Sequence, residues 1–291
     1  STTRIPFHLL SRFALPMEHD LDHPEFCTLP SVFDLLRKNN ISYLFHAAPK
    51  FRVTIDAALK RAENQLRPPI KFAFFHVGNL DGTGHKYGPD SEEMEHELGR
   101  MDKKLESLYT VVKRRFGPFN LVIMGDHGMI NVSRHLNIEA HLTKLNITNG
   151  QDCLYLLDST MARFWFSNAN MKQKILSAFT DLGGGRILTR PDLDFYHLNW
   201  PHNRFGDMIF LADPGTLIFP NHFQQHIPAK GMHGYTPEHK GQQAVLLING
   251  PRISTRQETT PADMRRIFPT LCTLLQIGRP VSCKPESLVR L

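Results

Sequence analysis

The sequence predicts an α/β protein: a three-layer α/β/α sandwich around a mostly parallel sheet, with an inserted cap. Three observations support this fold class. Short apolar segments alternate with segments of helical periodicity, as in strand–helix–strand units. Residues 119–124 form a continuous apolar run, which is typical of a strand covered on both faces. From about residue 134 to residue 228 the pattern changes to short strands around one helix, which indicates an insertion.

Helices and strands alternate through the first half of the chain. In order, they are predicted as a helix at 30–40, a strand at 41–46, a helix at 55–66, a strand at 71–76, a long amphipathic helix ending at Gly117 and the apolar strand at 119–124. Asp90 and Glu93 fit a capping box at the start of the long helix. Residues 77–89 contain several glycines, which permit tight turns, and are predicted to form a loop.

The second half of the chain is predicted to contain shorter elements. These are strands at 154–157, 163–166, 208–212 and 216–219, a helix near 172–181, a strand at 244–248 and a helix at 264–275. We expect one catalytic-type domain over residues 1–291, with the cap at about 134–228 lying within it.

Composition limits the kind of protein without identifying it. Of the 291 residues 41% are hydrophobic, which is enough for a sizeable core and too many for a disordered chain. No apolar run approaches the ~20 residues of a membrane span, and no nucleic-acid-binding module is apparent. The formal charge of +6 is spread over predicted helix faces, as expected for a solvated surface. Localisation and oligomeric state do not follow from these features.

Five candidate metal ligands lie in three glycine-flanked segments. Asp81 and His85 are four residues apart in the predicted loop after the strand at 71–76. Asp126 and His127 come just after the strand at 119–124. His233 lies in a third segment, between two glycines. In open α/β sheets ligands bind outside the carboxyl ends of the strands, so these segments can meet at one edge. A carboxylate with imidazoles suits a borderline divalent cation.

The ligand set fits two metal ions better than one. Asp81, His85 and His233 fill three positions of a tetrahedral site and leave the fourth open, as a catalytic zinc requires. Asp126 and His127 supply only two ligands for a second ion, which is a deficit. Two metals about 4 Å apart stabilise the attacking and the leaving oxygen in phosphoryl displacement.

The three motifs, in this order, resemble those of the type I phosphodiesterase/nucleotide pyrophosphatase family of the alkaline phosphatase superfamily. They read D-x-x-G-H-x-x-G-P from Asp81, G-D-H-G-M from Gly125 and G-x-H-G-Y from Gly231, and the similarity extends from about Pro30 onward. The resemblance implies an alkaline phosphatase-like fold, two zinc ions, a small phosphate ester substrate and a covalent phospho-enzyme. It also implies one zinc site at Asp81, His85 and His233, and part of the other at Asp126 and His127.

One departure from the family pattern concerns the second metal. In the family, an aspartate at the end of the first strand completes that site, and a threonine or serine nucleophile follows at the start of a helix. Ser1–Thr2–Thr3 does not resemble that motif. We expect the nucleophile and the missing ligand upstream of Ser1, and therefore expect residues 1–291 alone to hydrolyse diesters poorly or not at all. An inactive relative is the alternative.

Other interpretations of the same residues remain open. Within the superfamily the chain could be a phosphomonoesterase, a sulfatase or a phosphomutase; outside it, a metal-stabilised binding domain without turnover. His239 is the nearest competitor to His233 as a ligand. Asp81 and His85 could also be ordinary surface residues of a polar turn.

Overall fold

The computed structural model describes residues 19–48, 53–200, 205–255 and 257–290. Its chain divides into two compact units. The described parts of unit 1 lie in Asp81–Met94 and His127–Gln243, and those of unit 2 in Met17–Leu80, Glu95–Asp126 and Ala244–Leu291. The segment Ser1–Thr2–Thr3, compared above with a nucleophile motif, lies outside the described residues.

Helices and strands are interspersed along the described residues. The helices are α1 (Val32–Lys38), α2 (Ile55–Gln65), α3 (Asn79–Tyr87), α4 (Glu92–Phe116), α5 (Ile138–Lys144), α6 (Ala169–Thr180), α7 (Arg190–Phe195) and α8 (Ile267–Leu275). The strands are β1 (Tyr43–His46), β2 (Phe72–Phe75), β3 (Leu121–Met124), β4 (Ile130–Asn131), β5 (Arg134–Leu136), β6 (Cys153–Leu157), β7 (Met161–Phe166), β8 (Gly185–Ile187), β9 (Met208–Ala212), β10 (Thr216–Ile218), β11 (Gly231–Met232) and β12 (Leu246–Asn249).

Unit 2 contains a parallel strand pair packed on an aromatic cluster. β1 and β2 run parallel, with Tyr43 opposite Phe72 and His46 opposite Phe75. Phe33 of α1 packs edge-to-face against Phe45 of β1, with ring centroids 5.3 Å apart. Aromatic side chains bury a large apolar area per residue, so this cluster stabilises the strand pair.

The strand β3 is less buried than its apolar sequence predicts. It pairs with β12 in antiparallel orientation, so that Leu247 lies opposite Ile123. Within the described chain its side chains are only partly buried, and Met124 is 42% exposed. The apolar run therefore identified the strand, whose side chains are partly buried to exposed among the described residues.

Unit 1 is built on a four-stranded antiparallel sheet in the order β6-β7-β9-β8. Phe164, Phe179 and Phe210 are fully or almost fully buried beside this sheet and form the centre of its core. The predicted strands at 154–157, 163–166, 208–212 and 216–219 correspond to β6, β7, β9 and β10, and the predicted helix corresponds to α6. That this region acts as a cap stays a prediction.

The predicted loop at residues 77–89 is wrong, because most of it forms the helix α3. Glycine is an unfavourable residue inside a helix, but at Gly84 the missing side chain lets two methionine side chains pack closely against the helix backbone. A Cβ added at Gly84 would lie 2.9 Å from the Cε of Met129 and 3.1 Å from that of Met94. Tertiary contact thus outweighs the local preference. The consequence for Asp81 and His85 is that they share one face of a helix.

The predicted cap of α4 is displaced by one residue. The Ser91 hydroxyl, not the Asp90 carboxylate, accepts a hydrogen bond from the Met94 backbone N–H at 3.2 Å. The Asp90 carboxylate instead accepts from the side-chain amide of Asn131 in β4. Both are good N-cap residue types, so sequence could not choose between them.

Among the described residues, no helix combines the length and the apolar composition needed to cross a bilayer.

The cysteines differ in accessibility, which leads to a first testable prediction. Cys27 is exposed, whereas Cys153 is only 4% exposed and its burial raises the pKa of the thiol to about 11. Because the thiolate is the reactive form, we expect Ellman's reagent at pH 8 to label Cys27 rapidly and Cys153 only after unfolding in urea.

The variant that tests this prediction is Cys27→Ser/Cys283→Ser, which keeps the two buried thiols Cys153 and Cys272. It should show no rapid phase in the native protein and two reactive thiols in urea. Rapid labelling of the folded double variant would show that the core around Cys153 in β6 or Cys272 in α8 opens easily, contrary to their burial.

Candidate metal centre

Four of the five predicted ligands meet at one carboxylate oxygen in unit 1. The Oδ1 atom of Asp81 lies 3.2 Å from the Nε2 of His85, 3.5 Å from that of His233 and 3.9 Å from that of His127. The His127 and His233 rings stack with centroids 3.6 Å apart. Asp81, His85 and His233 form a group whose ligand atoms all lie within 4.8 Å of one another.

Helix α3 supplies Asp81 and His85 together. Residues four apart lie on the same helix face about one turn from each other, so the two side chains point to the same place. Asp81 lies in the first turn of the helix and His85 in the last. The pair predicted to lie in a glycine-rich loop is therefore carried by a helix.

The strand β11 brings His233 to this helix. The Lys230 N–H donates to the His85 carbonyl oxygen at 2.8 Å, and the next residue, Gly231, begins β11. A Cβ added at Gly231 would lie 2.4 Å from the carbonyl oxygen of Gly84, so only glycine allows this approach. His233 follows two residues later and reaches the Asp81 carboxylate.

Two of the imidazoles are oriented through their other nitrogen. The Nδ1 of His85 lies 2.9 Å from the Gly231 carbonyl oxygen, and the Nδ1 of His127 lies 2.9 Å from that of Gly128. A carbonyl oxygen can only accept, so each Nδ1 carries a proton, and the Nε2 of each ring is the nitrogen that faces Asp81 and is available to bind a metal. Metal-ligating histidines show this same arrangement.

The distances also fit a tetrahedral cation site. With ligand bonds of about 2.0–2.1 Å, neighbouring ligand atoms of a tetrahedron lie about 3.3–3.4 Å apart. The distances of His85 and His233 from Asp81, 3.2 and 3.5 Å, bracket that value. The 3.9 Å distance of His127 is longer, which sets this residue apart from the other three.

A second histidine cluster, which the sequence did not point to, has the opposite hydrogen-bond pattern. The ligand atoms of His19, His23 and Glu25 also lie within 4.8 Å of one another. Here the Nδ1 of His23 accepts from the Glu25 backbone N–H at 3.2 Å, so a neutral ring carries its proton on Nε2. The His23 ring is thus committed to a hydrogen bond within the turn and has no free Nε2 lone pair for a metal.

His239, the competitor considered for His233, is also accounted for. Its Nδ1 accepts from the Gly241 N–H at 3.1 Å, which caps the 3-10 turn Lys240–Gln242. This role explains a histidine at that position without a metal.

Asp126 belongs to unit 2 and follows β3 and Gly125 in the chain. Its assignment to a second ion stays a prediction.

The architecture and the carboxylate–imidazole cluster define an α/β protein with a candidate divalent-metal centre. A profile of the type I phosphodiesterase/nucleotide pyrophosphatase family matches residues 17–236. The chain belongs to this family, which confirms the resemblance inferred from the three motifs.

Individual relatives are distant in sequence. Ectonucleotide pyrophosphatase/phosphodiesterase family member 7 of Mus musculus is 24% identical over 248 residues, covering 83% of this chain and 55% of the relative. The bis(5'-adenosyl)-triphosphatase of Homo sapiens is 24% identical over 228 residues, covering 73% and 46%. The chain thus spans about half the length of the curated relatives it matches.

Solved structures confirm the alkaline phosphatase-like α/β fold. Human ectonucleotide pyrophosphatase/phosphodiesterase 5 superposes with a TM-score of 0.69 at 19% identity, over 87% of this chain and 71% of that one. An inactive variant of the murine protein, in complex with AMP, gives 0.71 at 18% identity with the same coverage.

Proposed function

We propose that the protein hydrolyses phosphodiester or pyrophosphate bonds of small phosphate esters in a reaction that depends on divalent metal, with zinc as the ion. The observation that carries this proposal is the convergence of three imidazole Nε2 atoms on the Asp81 Oδ1, at 3.2 to 3.9 Å. Membership of the phosphodiesterase/nucleotide pyrophosphatase family supports the reaction class.

In this proposal Asp81, His85 and His233 hold one ion, and Asp126 with His127 contribute to a second. The longer distance of His127 from Asp81 supports placing it on the second ion. A divalent ion there would stabilise negative charge on the transferring phosphoryl group and lower the pKa of a bound water.

The chain's own residues prepare this site in two ways. The Gly231 and Gly128 carbonyl oxygens hold the His85 and His127 rings in one orientation, so little ordering is needed when a ligand arrives. The Asp81 side chain is also 46% exposed. A small ester can therefore approach the cluster from solvent.

The covalent phospho-enzyme is the finer part of the proposal. The family resemblance implies a threonine or serine whose oxygen attacks phosphorus and displaces the alcohol or phosphate leaving group, which takes up the proton of the hydroxyl. Water then hydrolyses the phosphate ester formed on the protein, which releases the phosphoryl product and restores the hydroxyl. None of the five candidate ligands supplies that hydroxyl. The step is therefore proposed from family resemblance, and the ligand geometry supports only the metal-dependent part.

Three chromogenic substrates test the reaction class. The complete protein, with whatever sequence flanks residues 1–291, is stripped with chelator, resupplied with zinc and assayed on bis(p-nitrophenyl) phosphate, p-nitrophenyl phosphate and p-nitrophenyl sulfate. We expect kcat/KM to be at least about tenfold higher for the diester, which corresponds to about 1.4 kcal/mol of preferential transition-state stabilisation.

Each of the other outcomes selects a different interpretation. A preference for the monoester or the sulfate would replace the proposed function with a phosphatase or a sulfatase. Zinc binding without turnover of any of the three would favour a binding domain. Full diesterase activity in the chelated protein would remove the metal from the proposal.

A further inference from the structure

Gln242 accepts hydrogen bonds from two separate segments that carry candidate ligands. Its main-chain oxygen accepts from the Gly128 N–H at 2.9 Å. Its side-chain Oε1 accepts from the Gly234 N–H at 2.7 Å and from the Tyr235 N–H at 3.0 Å. Gly128 directly follows His127, and Gly234 directly follows His233. One residue thus links the two histidines that stack on each other.

The main-chain part of this link depends on a close backbone approach. A Cβ added at Gly128 would lie 2.2 Å from the carbonyl oxygen of Gly241 and 2.7 Å from that of Gln243. No side chain fits there without moving the backbone, so glycine lets the segment after His127 lie directly against the 3-10 turn. His239 caps that turn, which fixes the position of Gln242 within it.

The side-chain part of the link differs from the other anchors of the His233 loop. The Thr160 hydroxyl donates to the Gly234 carbonyl oxygen at 3.0 Å, and the Tyr235 hydroxyl donates to the Thr216 carbonyl oxygen at 3.1 Å. Burial raises the pKa of Tyr235 to about 12, so this hydroxyl is a structural donor. Thr160 ties the loop to the turn between β6 and β7 and Tyr235 ties it to β10, whereas Gln242 ties it to the segment of His127.

We infer that Gln242 is a positioning residue, which fixes the His127 and His233 rings relative to each other and so sets the spacing of the metal ligands. The inference rests on the proposed function for its metal, but the contacts that carry it lie outside the ligand set. Loss of an outer-shell partner of a metal ligand typically costs 10- to 100-fold in metal affinity, and we expect an effect of that order here.

The test compares two substitutions at this position. Gln242→Met keeps the length of the side chain but removes the Oε1 acceptor. Gln242→Glu keeps both the length and an oxygen acceptor at that position. The Nε2 of Gln242 is buried without a hydrogen-bond partner among the described residues, so replacing it by oxygen breaks no bond. We expect Gln242→Met to weaken zinc binding about 10- to 100-fold and to change the visible spectrum of the Co²⁺-loaded protein. Gln242→Glu should retain both within about threefold.

A metal-free readout keeps the inference testable if no metal binds. Imidazole NMR shifts of His127 and His233 should move in metal-free Gln242→Met, because their stacking changes, and should be retained in Gln242→Glu. Gln243→Met changes the exposed neighbour and should alter neither readout. Thr160→Val removes the hydrogen bond from the Thr160 hydroxyl to the Gly234 carbonyl oxygen, so it loosens the same loop but leaves the link from Gln242 to the His127 segment in place. It should lower the Tm while leaving the His127 ring shifts in place. Gln242→Asn replaces Gln242→Met if the latter does not fold.

The outcomes separate this inference from the proposed function. Gln242→Met could lower the Tm alone and leave the zinc affinity, the Co²⁺ spectrum and the ring shifts as in the unmodified protein. In that case Gln242 is merely structural and the inference is wrong. If the ring shifts move but the unmodified protein binds no zinc, the positioning role stands and the proposed function fails.

Discussion

Asp81→Asn is expected to abolish tight zinc binding by residues 1–291. The Asp81 Oδ1 lies within 4 Å of three imidazole Nε2 atoms. Asparagine keeps its size but removes the charge that attracts the cation. Since losing even an outer-shell partner costs 10- to 100-fold in affinity, loss of this carboxylate should cost on the order of 1000-fold. Competition with a chromogenic zinc chelator measures the change.

Asp102→Asn is the matched control for this result. Asp102 is an exposed carboxylate on α4, so the same change of charge should leave zinc affinity unchanged. If Asp81→Asn binds zinc as tightly as the unmodified chain, the ion is held elsewhere. His23→Gln would then show whether the His19–His23–Glu25 turn holds it, against the hydrogen-bond pattern described above.

Phe179→Ala is expected to destabilise unit 1 by about 3–5 kcal/mol. Phe179 of α6 is only 2% exposed. It packs edge-to-face against Phe164 and Phe210, with ring centroids 5.2 and 5.4 Å apart. Truncation removes both aromatic contacts and leaves a cavity between α6 and the sheet. Urea unfolding followed by tryptophan fluorescence reports on this unit, because both tryptophans of the chain, Trp165 and Trp200, lie in it.

The control for the core substitution is Phe195→Ala on α7. Phe195 is 69% exposed, so its removal should change the free energy of unfolding by less than about 0.5 kcal/mol. Similar losses for Phe179→Ala and Phe195→Ala would mean that the aromatic cluster around Phe179 does not form the core of unit 1.

The candidate ligands could be predicted because their chemistry is visible in the residue types. A carboxylate and imidazoles flanked by glycine at strand ends are uncommon enough to single out Asp81, His85, His127 and His233, and the structure brings these four together. The strands β1 and β2 were equally visible as short apolar runs. In each case a local pattern carried the information.

Features that depend on distant backbone contacts could not be predicted in the same way. The glycines around Asp81 suggested a loop because glycine disfavours helices, whereas Gly84 serves the packing of α3 against Met129. Gln242 resembles any polar surface residue until the N–H groups of Gly128 and Gly234 are placed beside it. The short elements β8 and α7 carry too few residues for a periodic signal.

The helical character of α3 has a consequence for how this site tolerates change in chain length. Each residue of an α-helix advances the side-chain direction by about 100°. One residue inserted between Asp81 and His85 would therefore turn one ligand away from the other, even if every ligand type were kept. Added length before Asn79 or after Tyr87 would leave their alignment intact. The four-residue spacing of Asp81 and His85 is thus a geometric requirement, because it keeps both side chains on one face of the helix.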